Sequence, residues 1–153
     1  NQLEAHACDR RNGRTARRVD AWRPVLHWTE ELVWEVLEKH RVSPPVPYRL
    51  GWSRSSCMTC IYNSPRVWAT IKHYWPERVM SIARYEQSFG VTVSRKRIDV
   101  LDLSAGVSPI RISDVDALNQ VSMEQYVLPV LVPAGQKWET PPGAFGREAC
   151  GSD

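Results

Sequence analysis

The chain has 153 residues, 42% of them hydrophobic, with seven Trp and a formal net charge of +3. That size fits one ordinary domain, and the apolar share excludes a chain that stays unfolded for want of a core. No apolar run approaches the ~20 residues of a membrane-spanning helix, and the opening residues lack the pattern of a secretory leader.

Four Cys in a chain of this size do not make a disulfide scaffold, so a reducing, cytoplasmic setting is expected. The first residue is Asn rather than Met, which fits a fragment, a processed product or an incomplete reading frame.

In chain order, residues 1–20 read as a polar, basic lead-in with a turn at Asn12-Gly13. Arg10, Arg11, Arg14, Arg17, Arg18 and Arg23 crowd this part, which suits phosphate or sulfate because a guanidinium fork matches a tetrahedral anion. A solvated basic arm is the plain alternative. Thr29 followed by Glu30 and Glu31 is a helix start, and Leu32, Val33, Val36 and Leu37 recur at helical spacing, predicting a helix over 30–40. Pro44, Pro45 and Pro47 predict an extended link.

Ser64-Pro65 starts another helix carrying Trp68, Ile71 and Trp75, and Pro76 opens a third that Gly90 stops. Glu86 falls on or near the apolar face of that third helix and is expected to meet an Arg or a backbone amide at the core edge. Trp22, Trp28, Trp34, Trp68 and Trp75 are expected in the core. The stretch VTVSRKRIDVLDL reads as a short strand or loop and then helix, and DVDALNQ as a helical turn or two. Pro129 and Pro133 limit YVLPVLVP to an edge strand or a docked extended segment. From Ala134 on, Gly, Pro and charge predict a mobile tail.

Between the first and second helices lies YRLGWSRSSCMTCIY, residues 48–62. Cys57 and Cys60 are spaced so that both sulfurs face one point, which suits half of a metal or iron–sulfur site, or a redox dithiol. An ordinary reduced pair beside a helix start is the alternative. Arg54 precedes Cys57 by one turn, placed to stabilise thiolates, to hold an anionic oxygen or to cap a carbonyl. Tyr48 and Trp52 border an adenine or close the turn.

In this order Arg23-Pro24, Trp28-Thr29, Val33-Trp34, Tyr48, Gly51, Arg54, Cys57 and Cys60 resemble the C-terminal half of the phosphoadenosine phosphosulfate (PAPS) reductase family. Within it, YRLGWSRSSCMTCIY is most similar to the branch found in phages, mobile elements and DNA phosphorothioation systems. The resemblance spans roughly residues 10–95 and implies the C-terminal portion of an α/β adenine nucleotide alpha-hydrolase-like sandwich. The part present here would be mostly α, with few or short strands: a lead-in (1–20), a CxxC-bearing region (21–112) and an extension with the tail (113–153). The family's Ser-Gly-Gly nucleotide loop does not occur in this sequence and is expected upstream of Asn1. This chain alone is therefore expected to be inactive.

The resemblance implies that the complete protein reduces or transfers sulfur from an adenylated or sulfated nucleotide, ATP or PAPS. Arg14, Arg17, Arg18, Arg23, Arg54 and Tyr48 would bind that substrate. Cys57 and Cys60 would ligate a [4Fe-4S] cluster or do redox work, with zinc the lesser choice and with further ligands from Cys8, His27, His40, His73 or an absent half. Cys150 sits in Glu148-Ala149-Cys150-Gly151, near the family's Glu-Cys-Gly tail nucleophile, but Ala149 and the lack of Leu-His separate the two. Two further readings are ATP-dependent sulfur insertion into DNA and a non-catalytic nucleic-acid-binding module with a small metal site. A thiol reductant protein, a DNA-modifying partner and self-association are the partners left open.

Overall fold

A computed structural model describes residues 6–10 and 18–146, with side chains from residue 22 on. The described residues are mostly helical, and no helix among them is long and apolar enough to cross a membrane. The chain divides into two compact units, Asn1–His40 and Arg41–Asp153, a division that falls well beyond the lead-in boundary expected near residue 20. The turn expected at Asn12-Gly13 lies outside the described residues.

In the first unit, the lead-in contributes two strands. Strand β1 (His6–Arg10) pairs antiparallel with β2 (Arg18–Trp22), in a register running from His6 opposite Trp22 to Arg10 opposite Arg18. Helix α1 (Glu30–Lys39) starts where the sequence places it. The Thr29 hydroxyl accepts from the Leu32 amide at 3.3 Å, and Glu30 and Glu31 occupy the positive end. The backbone amide of Glu31 itself, and after it the Thr29 hydroxyl, hold the Glu31 carboxyl below the usual range.

Trp34 is the buried residue of α1 and donates its indole N–H to Glu30 one turn back, at 3.1 Å. Leu32 and Val33 are exposed, as are Trp22 (77%) and Trp28 (43%), against the expectation of a tryptophan core there. Segment 23–28 makes two successive turns, Leu26 N–H to Arg23 and Trp28 N–H to Val25, so it offers no continuous stripe to bury.

In the second unit, the proline link is not fully extended. Helix α2 (Val46–Arg49) forms inside it because a proline in the first helical turn gives up only an amide that has no partner there anyway. Helices α3 (Pro65–Tyr74) and α4 (Pro76–Phe89) begin at the predicted prolines. The Ser64 hydroxyl accepts from the Val67 amide at 3.2 Å, and Gly90 ends α4 in the left-handed region at φ 64°. Val67, Trp68, Ile71, Trp75, Val79 and Ala83 pack with Leu50, Trp52, Val100, Leu103 and Ala117 into one core. Each fully buried aliphatic side chain there contributes about 1.5–3 kcal/mol as an upper bound.

Beyond α4 the chain is irregular, and buried polar side chains satisfy its amides. Glu86, 6% exposed, accepts from the Val93 amide at 2.8 Å and the Val100 amide at 2.9 Å, clamping the segment between them. Thr70 and Tyr74 on α3 accept from the Ile110 and Ile112 amides. Gln120 binds both Gln125 and Val127 through its side-chain amide. Helix α5 (Val100–Leu103) is capped by Asp99, and α6 (Val115–Gln120) by Asp114, which also takes Arg49 in a two-point pair at 2.7 and 3.0 Å.

The segment expected as a mobile tail is packed as far as residue 146. Leu131 bridges Val42, and the Arg41 guanidinium donates to the carbonyls of Val132, Pro133 and Gln136. Trp138 is buried and donates to the Val42 carbonyl at 2.8 Å. Gly143 lies so close that a Cβ would collide with the carbonyls of Trp52 and Tyr48, and its amide donates to Tyr48 at 2.9 Å. A composition rich in Gly and Pro here marks close backbone approach, not freedom.

Replacing Glu86 with Ala leaves two amides without their acceptor, and the expected loss is about 3 kcal/mol, read as a lower urea midpoint at unchanged slope. Burial raises the Asp114 carboxyl, but the Arg49 hydrogen bond and charge and the Ala117 amide outweigh it, leaving it below the ordinary range. Its ionised form therefore stabilises the fold above the unfolded value of about 3.9, and that contribution is lost as the pH falls through the folded value. The stability gap between wild type and Asp114→Asn is expected to be constant near neutrality and to close under acid, in urea titrations at stepped pH.

Candidate functional site

The residues from Tyr48 to Tyr62 form a chain of turns anchored at both ends. After α2, Leu50 is buried and Gly51 takes φ 87°, a conformation that side chains resist; a Cβ there would sit 2.9 Å from Ile110 Cγ2. Trp52 then enters the core at 4% exposure and closes the turn. The Tyr48 carbonyl accepts from Gly51 at 3.1 Å and from Gly143 at 2.9 Å, so its backbone links this turn to the strap 134–146.

The thiols occupy the next two turns. The Cys60 amide donates to the Cys57 carbonyl at 3.2 Å, and the Asn63 amide donates to the Cys60 carbonyl at 3.0 Å. The Asn63 side chain donates to Met58 at 2.6 Å, and Ser64 then caps α3. Both cysteines are free thiols; Cys57 is exposed and Cys60 half-buried. Arg54 Nη2 donates to Cys60 Sγ at 2.6 Å. Its Nε is buried without a partner, and its Cζ lies 5.2 Å from the centre of the Tyr62 ring. Arg95 Cζ lies 5.3 Å from the same ring.

Of the sequence-predicted site residues, the structure brings Arg54 and Cys60 together, with Cys57 on the same turn. Arg23 is exposed in the first unit. Arg14, Arg17 and Cys150 lie outside the described residues, as do the side chains of Arg18 and Cys8. Tyr62 and Arg95 escaped the sequence reading. Tyr62 is the last residue of the YRLGWSRSSCMTCIY run, and Arg95 belongs to the SRKR stretch read only as strand or loop.

A tetrahedral metal or cluster site needs about four donors. Among the described residues no three His, Cys, Asp or Glu side chains gather to hold a metal.

No protein-family model matches this chain, and no solved structure does. Over 69 residues, 45% of this chain, it is 36% identical to an uncharacterized 37.8 kDa protein in the gpa 5′ region of Escherichia phage 186. The match spans 21% of that phage protein's length.

Exposure separates the two thiols. Under limiting iodoacetamide, fragmentation of the peptide carrying both is expected to find the first label on Cys57, with Cys60 labelled roughly tenfold more slowly. Equal labelling would contradict the half-buried position of Cys60.

Proposed function

We propose that the turn is a sulfur-handling dithiol, and that the chain is the C-terminal part of a PAPS reductase-like protein built on an adenine nucleotide alpha-hydrolase-like sandwich. The observation that supports this is the placement of the Arg54 guanidinium against Cys60 Sγ, beside an exposed second thiol. A guanidinium at a sulfur stabilises negative charge as sulfur exchanges partners, and its remaining donors suit an incoming oxyanion.

In this reading the Cys57 thiolate attacks the sulfur of a phosphosulfate anhydride. The S–O bond to the nucleotide phosphate breaks, its electron pair leaves with that phosphate oxygen, and Cys57 carries a thiosulfonate. The Cys60 sulfur then attacks Cys57 Sγ, forming a disulfide and releasing sulfite. The thiols give up two protons and two electrons, and the sulfate sulfur gains those electrons. A dithiol reductant protein restores the pair. ATP-dependent sulfur insertion into DNA would call on the same two thiols.

The exposed run Arg95-Lys96-Arg97 favours a second reading, a nucleic-acid-binding module. Strong salt dependence of duplex binding, with no thiol chemistry, would single it out.

The test is a single-turnover reaction of the reduced complete protein, of which these 153 residues are the C-terminal part in this reading, with excess PAPS, followed by peptide mapping and sulfite assay. Wild type is expected to release sulfite, and Cys60→Ser to retain a thiosulfonate on Cys57. Arg54→Met should slow the step roughly tenfold or more. Absence of both sulfite and thiosulfonate would overturn the reading.

A further inference from the structure

Helix α4 carries a second stripe that the core does not use. Its buried residues are Val79, Ala83 and Glu86. Arg78, Ile82, Tyr85 and Phe89 recur at spacings of four, three and four, which places them together on one flank beside that buried face. The Tyr85 and Phe89 rings bear out the alignment, stacking with centroids 6.3 Å apart and planes 19° apart. Both rings are open to water, at 61% and 70% exposure, and Arg78 is exposed as well. Among the described residues the Arg78 side chain has no ion pair and no aromatic partner. Adjacent aromatic rings exposed on a regular helix mark a contact surface rather than scattered surface residues.

The order of side chains along this flank decides what covers it. Arg78 and Phe89 stand at its ends, Ile82 and Tyr85 at its middle, symmetric about a point between Ala83 and Arg84. A two-fold axis through that point lays a second α4 antiparallel on the first. Arg78 then meets Phe89 of the second copy and Ile82 meets Tyr85 of the second copy, with each contact made twice. A guanidinium over an aromatic face is attractive, and Ile82 packs its aliphatic surface on a ring. A parallel arrangement would set Arg78 against Arg78 and repel. Glu77 and Arg84 fall away from this flank by the same period, so the antiparallel pair brings no like charges together.

We propose that this flank of α4 is a self-association surface, on which a second copy of the chain docks antiparallel through Arg78, Ile82, Tyr85 and Phe89. The helix has 14 residues, about 21 Å at 1.5 Å each, so the contact is a single helix pair. An interface of that size belongs to the weak, transient class, and its dimer forms and dissociates with concentration. The inference stands apart from the thiol turn and holds whichever chemistry that turn performs. Met80 is exposed at 44% on the opposite flank and serves as the internal control.

The 153-residue chain, kept reduced so that the exposed Cys57 cannot link copies, is followed by sedimentation equilibrium over a range of concentrations. A monomer–dimer equilibrium is expected. Tyr85→Ser and Phe89→Ser should each weaken it roughly tenfold or more, because every contact is lost twice. Arg78→Gln should weaken it roughly fivefold, and Met80→Ser less than about twofold. Adding Arg78→Gln to Phe89→Ser should weaken it little further, since both remove the same contact. The substituted side chains are exposed, and far-ultraviolet circular dichroism checks that each variant keeps its helices.

Placing p-benzoylphenylalanine at position 89 identifies the covering surface directly. In a mixture of 14N- and 15N-labelled chains, irradiation is expected to give mixed-isotope crosslinks at or next to Arg78. Crosslinks confined to one copy would show that the chain covers its own stripe and would overturn the proposal. Mixed-isotope crosslinks to a different surface would overturn the antiparallel pairing. A chain that stays monomeric up to about 1 mM, the weak end of specific association, would sink it too. The same holds for a dimer that tolerates Tyr85→Ser and Phe89→Ser as well as it tolerates Met80→Ser.

Discussion

A single buried carboxylate governs how the second unit is closed. Glu86 stands on a helix whose neighbours at Val79 and Ala83 face hydrocarbon, and it is itself almost fully removed from water. An ion in that position is unfavourable unless it is well bonded. Two backbone amides from the loop meet its two oxygens, so the charge is satisfied only when that loop is folded back. Loop position and carboxylate solvation are thus one equilibrium. The basic turn carrying Arg95 sits inside the clamped span, which ties that exposed surface to a core interaction.

The same logic recurs wherever this unit lacks regular structure. Helices α3, α4 and α6 satisfy their own backbones and lend polar side chains to segments that have no ladder of their own. Thr70 and Tyr74 hold 110–112, and Gln120 holds 125–127. Arg41 does the reverse, gathering three carbonyls of the strap. Among the described residues the sheet is confined to the small hairpin, so such bonds do the organising that strand pairing does elsewhere.

What the sequence disclosed was what depends on neighbours in the chain. Thr29, Ser64-Pro65 and Gly90 mark helix ends because capping is settled within four residues. Glu86 was legible as a structural carboxylate because a lone charge on an apolar stripe needs a bonded partner. Pairings across long separations were not legible. Nothing local links Tyr62 to Arg95, Trp138 to Val42, or Gly143 to the carbonyls of Tyr48 and Trp52. Tryptophan count misled in the first unit, where Trp22 and Trp28 are exposed, because residue type predicts burial only where a periodic face exists to carry it.

The seat of Gly143 on the Tyr48 and Trp52 carbonyls bears on biosynthesis. Segments that are far apart in sequence meet there, so the thiol-bearing turn cannot reach its finished form until residue 143 has left the ribosome. Until then Cys60, half-buried in the finished fold, sits on an incomplete support, and its premature oxidation during translation is a hazard that this late-closing arrangement builds in.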